Sequence, residues 1–342
     1  MRLLRILSEA MGVSGAEEEV RGIILRQIDG HADEIHVDSL GNVLAVKGGT
    51  GRTKLRVLVA AHVDEVGLMV TGHDKDGSLQ VAAIGGLDPR ILLGKRVLVG
   101  PEKLPGVIGA KPVHLLDENR DKAVKIKAMR VDIGASSKEG ASGKADLGTR
   151  VGFDTPFANL GATVRGKAFD DRAGCAVLVK LLRGEPFSFD LYALFSVQEE
   201  VGLRGARVAA HAADPDLAFV LETTIADDLP KDDDVSPTTE LGKGPALSTL
   251  DRSTIYDRRL NKLLADTAEK IGVPYQYKQP GLGGTDAGAI NVSRGGVPTA
   301  AVSVPCRYIH SPAAILSKRD YRNTEKLMRE ALGRLTRGTL AR

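Results

Sequence analysis

Apolar residues recur along this chain with two different periods, and the changes between them divide it into three stretches. Residues 2–29 carry helical spacing: Leu3, Leu4, Ile6 and Leu7, then Val20, Ile23 and Ile24, interrupted by Gly12-Val-Ser-Gly15. Ser14 or Gly15 followed by Ala-Glu-Glu-Glu predicts a helix start there, since early carboxylates complement the helix dipole. Short strands are predicted at Glu34–Val37 and Asn42–Val46, and Leu55–Ala61 reads as a buried strand.

From about Gly67 to Gly166 the helical period fades. Strand-length runs at Leu79–Ile84, Arg96–Val99, Gly106–Gly109 and Val124–Lys127 alternate with glycine-rich turns, as in a small barrel or sandwich. Residues 134–150 predict one helical turn plus an exposed loop, and His114 reads as structural. Strong α/β patterning lies on both sides. The β-rich part, 67–166, is therefore expected as an insertion into a main domain made of 1–66 and 167–342.

After it, Asp170-Asp171-Arg172 opens a helix through Leu182, and Leu191–Val197 is a buried strand stopping at Glu199-Glu200. A helix from Arg204 to His211 follows, then the strand Leu217–Leu221 ending in Glu222, and a charged loop over 226–245 expected to be solvated. A helix over Leu260–Ile271 and a strand at Tyr275–Lys278 precede Gly283-Gly284-Thr285-Asp286, which begins another helix. Pro298–Val304 is a last buried strand, running on to His310, and 319–341 predict a basic amphipathic helix. The expected fold class is α/β with an inserted small β-barrel-like domain.

Composition narrows the partners. Among 342 residues, 47 Lys and Arg face 44 acidic residues, and no basic run with interleaved aromatics suggests nucleic acid. No apolar run is long enough to span a membrane, and the N-terminus is not patterned as a signal sequence. Cys175 and Cys306 lie in apolar surroundings and read as packing. The expectation is a soluble cytoplasmic protein.

The chemistry lies where strands stop. His62, Glu199 with Glu200, Glu222 and His310 each follow a buried strand, and Asp170 begins a helix. His62 and Asp64 are two apart, so in extended geometry they face one side. Each signal alone is weak. Together they set two imidazoles and several carboxylates on one sheet edge, where unpaired carboxylates repel and divalent cations relieve them. Mixed His and carboxylate donors without thiolates suit zinc, cobalt or manganese in an open site, which is hydrolytic machinery. The glycines of 283–286 either line a substrate pocket or simply precede a helix capped by Thr285 or Asp286.

Five separated motifs carry a resemblance: Ala61-His62-Val-Asp64-Glu-Val-Gly67, Phe169-Asp170-Asp-Arg172-Ala-Gly174, Glu199-Glu200-Val-Gly-Leu-Arg-Gly-Ala206, Gly283-Gly-Thr-Asp286-Ala-Gly288 and Arg307-Tyr-Ile-His310-Ser-Pro312. In order over nearly the whole chain, they resemble metallopeptidase family 42, the tetrahedral aminopeptidases, whose members are variously labelled glutamyl or deblocking aminopeptidase or endoglucanase. The resemblance implies a Zn-exopeptidase-type mixed-sheet αβα sandwich and an inserted module used for dimerisation, the dimers building a hollow dodecamer. It implies two divalent metal ions per subunit, with metal ligands His62, Asp170 (bridging), Glu200, Glu222 and His310. His62 and Glu222 would be terminal ligands of different metals or sides of the pair. Glu199 is implied as general base, Asp64 as the catalytic residue that orients His62, and Gly284, Thr285 and Asp286 as a substrate-binding stretch. Family members often carry Asp where this chain has Glu222, so the extra methylene could shift metal preference.

The function this implies is removal of N-terminal residues from short peptides. The rivals are a metal-dependent deacylase of the same fold, a glycoside hydrolase and a metal-free assembly protein. Two opposed carboxylates would serve a glycosidase, but that chemistry leaves His62 and His310 without a task. Side-chain preference stays open: Lys243, Arg252, Arg258 and Arg307 could each favour an acidic residue or face solvent.

Overall fold

Alternation along the buried strands builds the main layer. In the strand Arg56–His62, Val57, Val59 and Ala61 belong to the core on one face, while Leu58 and Ala60 belong to the core on the other. A strand apolar on both sides must be covered on both sides, which dictates a three-layer αβα arrangement. The computed structural model describes residues 1–51, 55–112, 123–229, 237–281 and 283–341; His114 and residues 230–236 of the charged loop lie outside the described residues.

Helices α1 (Arg2–Glu9) and α2 (Glu18–Ile28) lead into β1 (Glu34–Val37), β2 (Val43–Lys47) and β3 (Arg56–His62). Next come β4 (Gly67–His73), β5 (Leu79–Ile84), β6 (Arg96–Val99), β7 (Leu104–Gly109), β8 (Arg130–Asp132), α3 (Lys138–Ser142) and β9 (Arg150–Phe153). The chain continues through β10 (Ala158–Leu160), β11 (Thr163–Gly166), α4 (Phe169–Arg183), β12 (Asp190–Ser196), α5 (Arg204–Ala213) and β13 (Leu217–Ile225). It finishes with β14 (Ala246–Leu247), α6 (Arg258–Ile271), β15 (Gln276–Tyr277), α7 (Ala287–Asn291), β16 (Thr299–Arg307), β17 (Ala314–Ser317) and α8 (Lys318–Gly333).

The large mixed sheet runs β1-β2-β12-β3-β13-β16-β17-β11-β10, with β12, β3, β13 and β16 parallel to their neighbours at its centre. Helices α1, α2, α4, α6 and α8 cover one face; α5 and α7 cover the other. Strands β4-β5-β8-β7-β6-β9 close into a separate antiparallel barrel with its own core of Leu68, Val81, Val97, Ile108, Val131 and Phe153 among others.

Several local expectations shift. The alternation at Val124–Lys127 is not a strand: a 3₁₀ turn at Ile126–Ala128 precedes β8, with Met129, Val131 and Ile133 in the barrel core and Val124 and Ile126 partly buried against it. The last helix stops at Gly333, and a separate turn at Arg337–Leu340 is capped by Thr336. Ser14 caps no helix. Glu17 occupies the N-cap position of α2, and the Ser14 hydroxyl instead donates to Asp64. Asp170 and Asp171 fall within the span of α4 but are non-helical in φ/ψ, so regular winding begins at Arg172.

The cores give an energetic contrast. Leu178 on α4 is fully buried, whereas Val107 on the barrel is 45% exposed. Leu178→Ala is expected to cost about 2–5 kcal/mol and Val107→Ala no more than about 0.5 kcal/mol, as read from shifts in denaturant midpoint at constant slope.

Candidate metal centre

Because β12, β3, β13 and β16 are adjacent and parallel, whatever leaves their carboxyl ends converges on one edge. His62 is the last residue of β3. Val220 pairs with Ala60, so two residues further on Glu222 stands level with His62 on the same face. Glu199 and Glu200 follow β12 through Gln198, whose φ is 56°, and His310 lies beyond β16 at φ 55°. Ala168, Leu203 and Tyr308 also sit in the left-handed region. Each such residue costs on the order of 1 kcal/mol, so the loops that aim these side chains are held by the surrounding structure. The Asp170–Asp171 peptide is cis.

The result is two three-residue clusters that share one carboxylate. In the first, His62 Nε2 lies 3.3 Å from Asp170 Oδ1 and 3.2 Å from Glu222 Oε1. In the second, His310 Nε2 lies 3.2 Å from the other oxygen, Asp170 Oδ2, and 3.3 Å from Glu200 Oε1. The donor atoms of each cluster lie within 4.8 Å of one another. Of the two expectations, different metals or different sides of the pair, the clustering of His62 with Glu222 favours a common point, because the strand register sets them side by side.

These separations test whether cations fit. Charge-assisted hydrogen bonds between imidazolium and carboxylate close to about 2.7–2.9 Å. Ligands about 2.0–2.2 Å from a tetrahedral centre stand roughly 3.3–3.5 Å apart, which matches the observed spacing better. The Glu222 Oε2 atom is buried with no hydrogen-bond partner, as is Asp171 Oδ2. A mixed nitrogen and oxygen donor set, free of thiolate, fits zinc- or cobalt-like divalent ions.

Titration behaviour reflects the same crowding. Burial pushes Glu222 up to about 8 against the pull of His62. Burial also raises Glu200 and takes Glu199 well above the ordinary carboxylate range. Asp170 goes the other way: despite burial, the imidazoles of His310 and His62 hold it below its usual range. His310 rises to about 11, since Asp170 and Glu200 outweigh its burial.

Asp64 sits behind this edge, fully buried, with His62 Nδ1 3.4 Å from its Oδ1. The same carboxylate accepts the backbone N–H of Glu199 at 3.0 Å and of Glu200 at 3.2 Å. Sequence reasoning placed Asp64 beside His62 but missed its grip on the Glu199–Glu200 loop, because nothing local links positions so far apart in the chain. It also missed a buried ionic support: Lys167 Nζ donates to both Glu65 oxygens at 2.7 and 2.8 Å, and Arg172 adds a contact at 3.3 Å. Arg172 further donates to the carbonyls of Val63 and Leu7, tying α4 to the turn after β3.

The remaining candidates divide. Gly284 is exposed, while Thr285 and Asp286 are buried. Asp286 caps nothing with its side chain; it accepts the Ser196 hydroxyl, and its Oδ1 has no partner. Thr285 accepts from Ala287 N and meets the Tyr256 hydroxyl at 3.2 Å. Arg307 pairs with Asp228 at 2.5 and 2.9 Å, while Lys243, Arg252 and Arg258 are exposed. Both cysteines are buried and free, with Cys175 Sγ on the His62 carbonyl at 3.1 Å.

Comparison with known proteins places the whole chain among aminopeptidases. A model of the M42 glutamyl aminopeptidase family matches residues 41–327. The lysyl aminopeptidase of Pyrococcus furiosus is 37% identical over 346 residues, covering 97% of this chain and 96% of that protein. The crystal structure of a TET aminopeptidase from a marine-sediment Thaumarchaeota archaeon superposes with a TM-score of 0.94 at 39% identity, covering 99% of this chain and 97% of that one. The Pyrococcus horikoshii TET1 peptidase, described as assembling into a tetrahedron or a large octahedral shell, gives a TM-score of 0.86 at 34% identity over 98% and 99% of the two chains.

Without cations Glu222 keeps its proton in the folded protein near neutral pH, whereas its ordinary value is 4.5. A raised carboxyl stabilises the fold fully below its unfolded pKa and loses that contribution as pH rises through the folded value. The chelator-treated protein is therefore expected to melt at progressively lower temperature from about pH 5 to pH 8, and the cation-loaded protein to show a weaker or opposite trend, since cations favour deprotonated ligands. Scanning calorimetry at matched ionic strength checks this.

Proposed function

The chain belongs to the M42 glutamyl aminopeptidase family, and from that premise we propose that the two clusters sharing Asp170 form the centre at which it removes N-terminal residues from short peptides. Family and relatives make it a peptide-bond hydrolase of the aminopeptidase type. The observation that carries the assignment of the site is the sharing itself, one oxygen of Asp170 turned to each imidazole.

His62, Asp170 and Glu222 would hold one divalent ion, and Asp170, Glu200 and His310 a second, with zinc or cobalt best suited to the donors. Such ions polarise a scissile carbonyl and make water more acidic. The protein's own part falls to Glu199. Asp170, Glu200 and Glu222 each face an imidazole, but the Glu199 carboxylate makes no hydrogen bond among the described residues. It is free to take a proton from the attacking water and pass it to the departing amine. Burial raises its carboxyl above the ordinary carboxylate range, which favours its accepting a proton. Asp64, whose Oδ1 lies 3.4 Å from His62 Nδ1, would orient the imidazole. In the 284–286 stretch, exposed Gly284 is the part open to substrate, and buried Thr285 and Asp286 set its course.

The insertion expected over 67–166 carries the barrel, although β10 and β11 at its end pair into the large sheet; it would serve dimerisation of a catalytic unit built from 1–66 and 167–342, the dimers completing a dodecameric shell like that named for a Pyrococcus horikoshii neighbour. No helix among the described residues is long and apolar enough to cross a membrane, and two unpaired buried thiols suit a reducing cytoplasm.

Glu199→Gln is expected to lower kcat by about 10²–10⁴-fold with cation content unchanged. Leucyl, glutamyl and lysyl anilides, each with its N-acetylated counterpart, provide the assay. Full activity in the variant would remove Glu199 from the mechanism, and preference for acetylated substrates would point to a deacylase instead.

A further inference from the structure

The hydroxyl of Ser14 is committed to a site residue fifty positions away. It donates to Asp64 Oδ2 at 2.6 Å, and both side chains are buried, Ser14 3% and Asp64 0% exposed. Oδ1 of that carboxylate accepts Glu199 N, and Oδ2 accepts Glu200 N as well as the Ser14 hydroxyl. One buried carboxylate thus has its orientation set from three directions, and its orientation sets the backbone from which Glu199 projects. Ser14 is itself held. The segment around it runs beside the end of β3: Val13 bridges Glu65 in parallel, Glu65 N donates to Gly12 O at 3.0 Å, and Gly12 N donates to Glu65 Oε1 at 3.0 Å.

The barrel reaches the same residue. Arg150, at the start of β9, donates through Nε to the Ser14 carbonyl at 2.9 Å and through its guanidinium to Gly148 O at 2.5 Å. Gly15 leaves room for this: its φ is +80°, and a Cβ there would stand 2.5 Å from an Arg150 nitrogen. The contacts form a continuous series, Arg150 to Ser14 to Asp64 to the Glu199 backbone, that joins the inserted barrel to the proposed base.

We propose that Ser14 is a positioning residue for Glu199, acting through Asp64, and that Arg150 of the barrel holds Ser14 in place. The inference rests on the reading of Glu199 as general base. A hydroxyl removed from a buried carboxylate leaves that group freer to turn, and a misplacement of the base on the order of 1 Å is enough to slow proton transfer without loosening substrate or cations. The sequence gives Ser14 the look of a helix cap, and the structure gives α2 a different cap, so the conventional task of a Ser at that place is absent.

The test compares Ser14→Ala, Arg150→Met, Glu199→Gln and the doubles Ser14→Ala/Glu199→Gln and Ser14→Ala/Arg150→Met, all as cation-loaded full-length protein. For each, kcat, KM, cation content and melting temperature are measured. Ser14→Ala is expected to lower kcat about tenfold, with KM within about twofold and cation content and melting temperature unchanged. On the Glu199→Gln background it should subtract nothing further, since the base whose position it sets is gone. Arg150→Met should lower kcat about threefold, and less than that when Ser14 is already Ala. A Ser14→Ala enzyme with normal kcat, or one whose loss comes with cation loss or a lower melting temperature, or whose loss persists in full without Glu199, overturns the positioning role. Full multiplication of the Ser14 and Arg150 effects overturns the barrel's part. A fully active Glu199→Gln protein overturns the general-base reading itself, which an inactive Glu199→Gln beside a fully active Ser14→Ala does not.

Discussion

Too much negative charge in too little water is the condition around which this molecule is arranged. Asp64, Asp170, Asp171, Glu199, Glu200, Glu222 and Asp286 crowd one sheet edge that contains two imidazoles. Burial alone pushes most of these carboxyls toward protonation, and Glu222 and Asp286 rise to about 8 and about 6. A protein bears such a cost when something else neutralises the charge, and divalent cations held by nitrogen and oxygen donors do so. The two clusters, joined through the two oxygens of Asp170, are where the proposed cations would supply that neutralisation.

Precision at the edge comes from the layers beneath it. Parallel pairing places His62 and Glu222 at one level, and the covered faces of the sheet leave the strands no freedom to slip. Loops with left-handed residues at Gln198, Leu203, Tyr308 and His310 then turn side chains that straight strands would send elsewhere. The Glu65–Lys167–Arg172 contacts fasten the turn after β3 to the start of α4, the two segments that carry His62 and Asp170. The barrel is also wired into the edge: Arg150 reaches the N-terminal segment, and a Cβ on Gly86 would come within 3.3 Å of His310 Nδ1.

How much of this was legible in the sequence depended on the range of each interaction. Strand-ending acids and histidines were visible because a buried apolar run and its last polar residue are neighbours in the chain, and the five motifs carried the family. The closed barrel was visible as alternation with glycine turns, though Val124–Lys127 imitates a strand and leads into a 3₁₀ turn. Which acid would share a cluster with which imidazole was not legible, since it depends on the register between β3 and β13. Nor was the role of Ser14, which sequence places before a helix and the fold turns toward Asp64. The burial of Thr285 and Asp286 against Tyr256 and Ser196 was likewise beyond the reach of sequence.

The central claim, two cation sites sharing Asp170, is tested most directly by counting ions. Calorimetric titration of chelator-treated protein with zinc or cobalt, alongside anomalous scattering from crystals of the loaded protein, would compare wild type with His62→Ala, His310→Ala and Asp170→Asn. The account predicts two ions per chain in the wild type, loss of a different one in each histidine variant, and weakening of both in Asp170→Asn. A single ion, ions bound away from these residues, or an Asp170→Asn protein that retains one site at full affinity would contradict it.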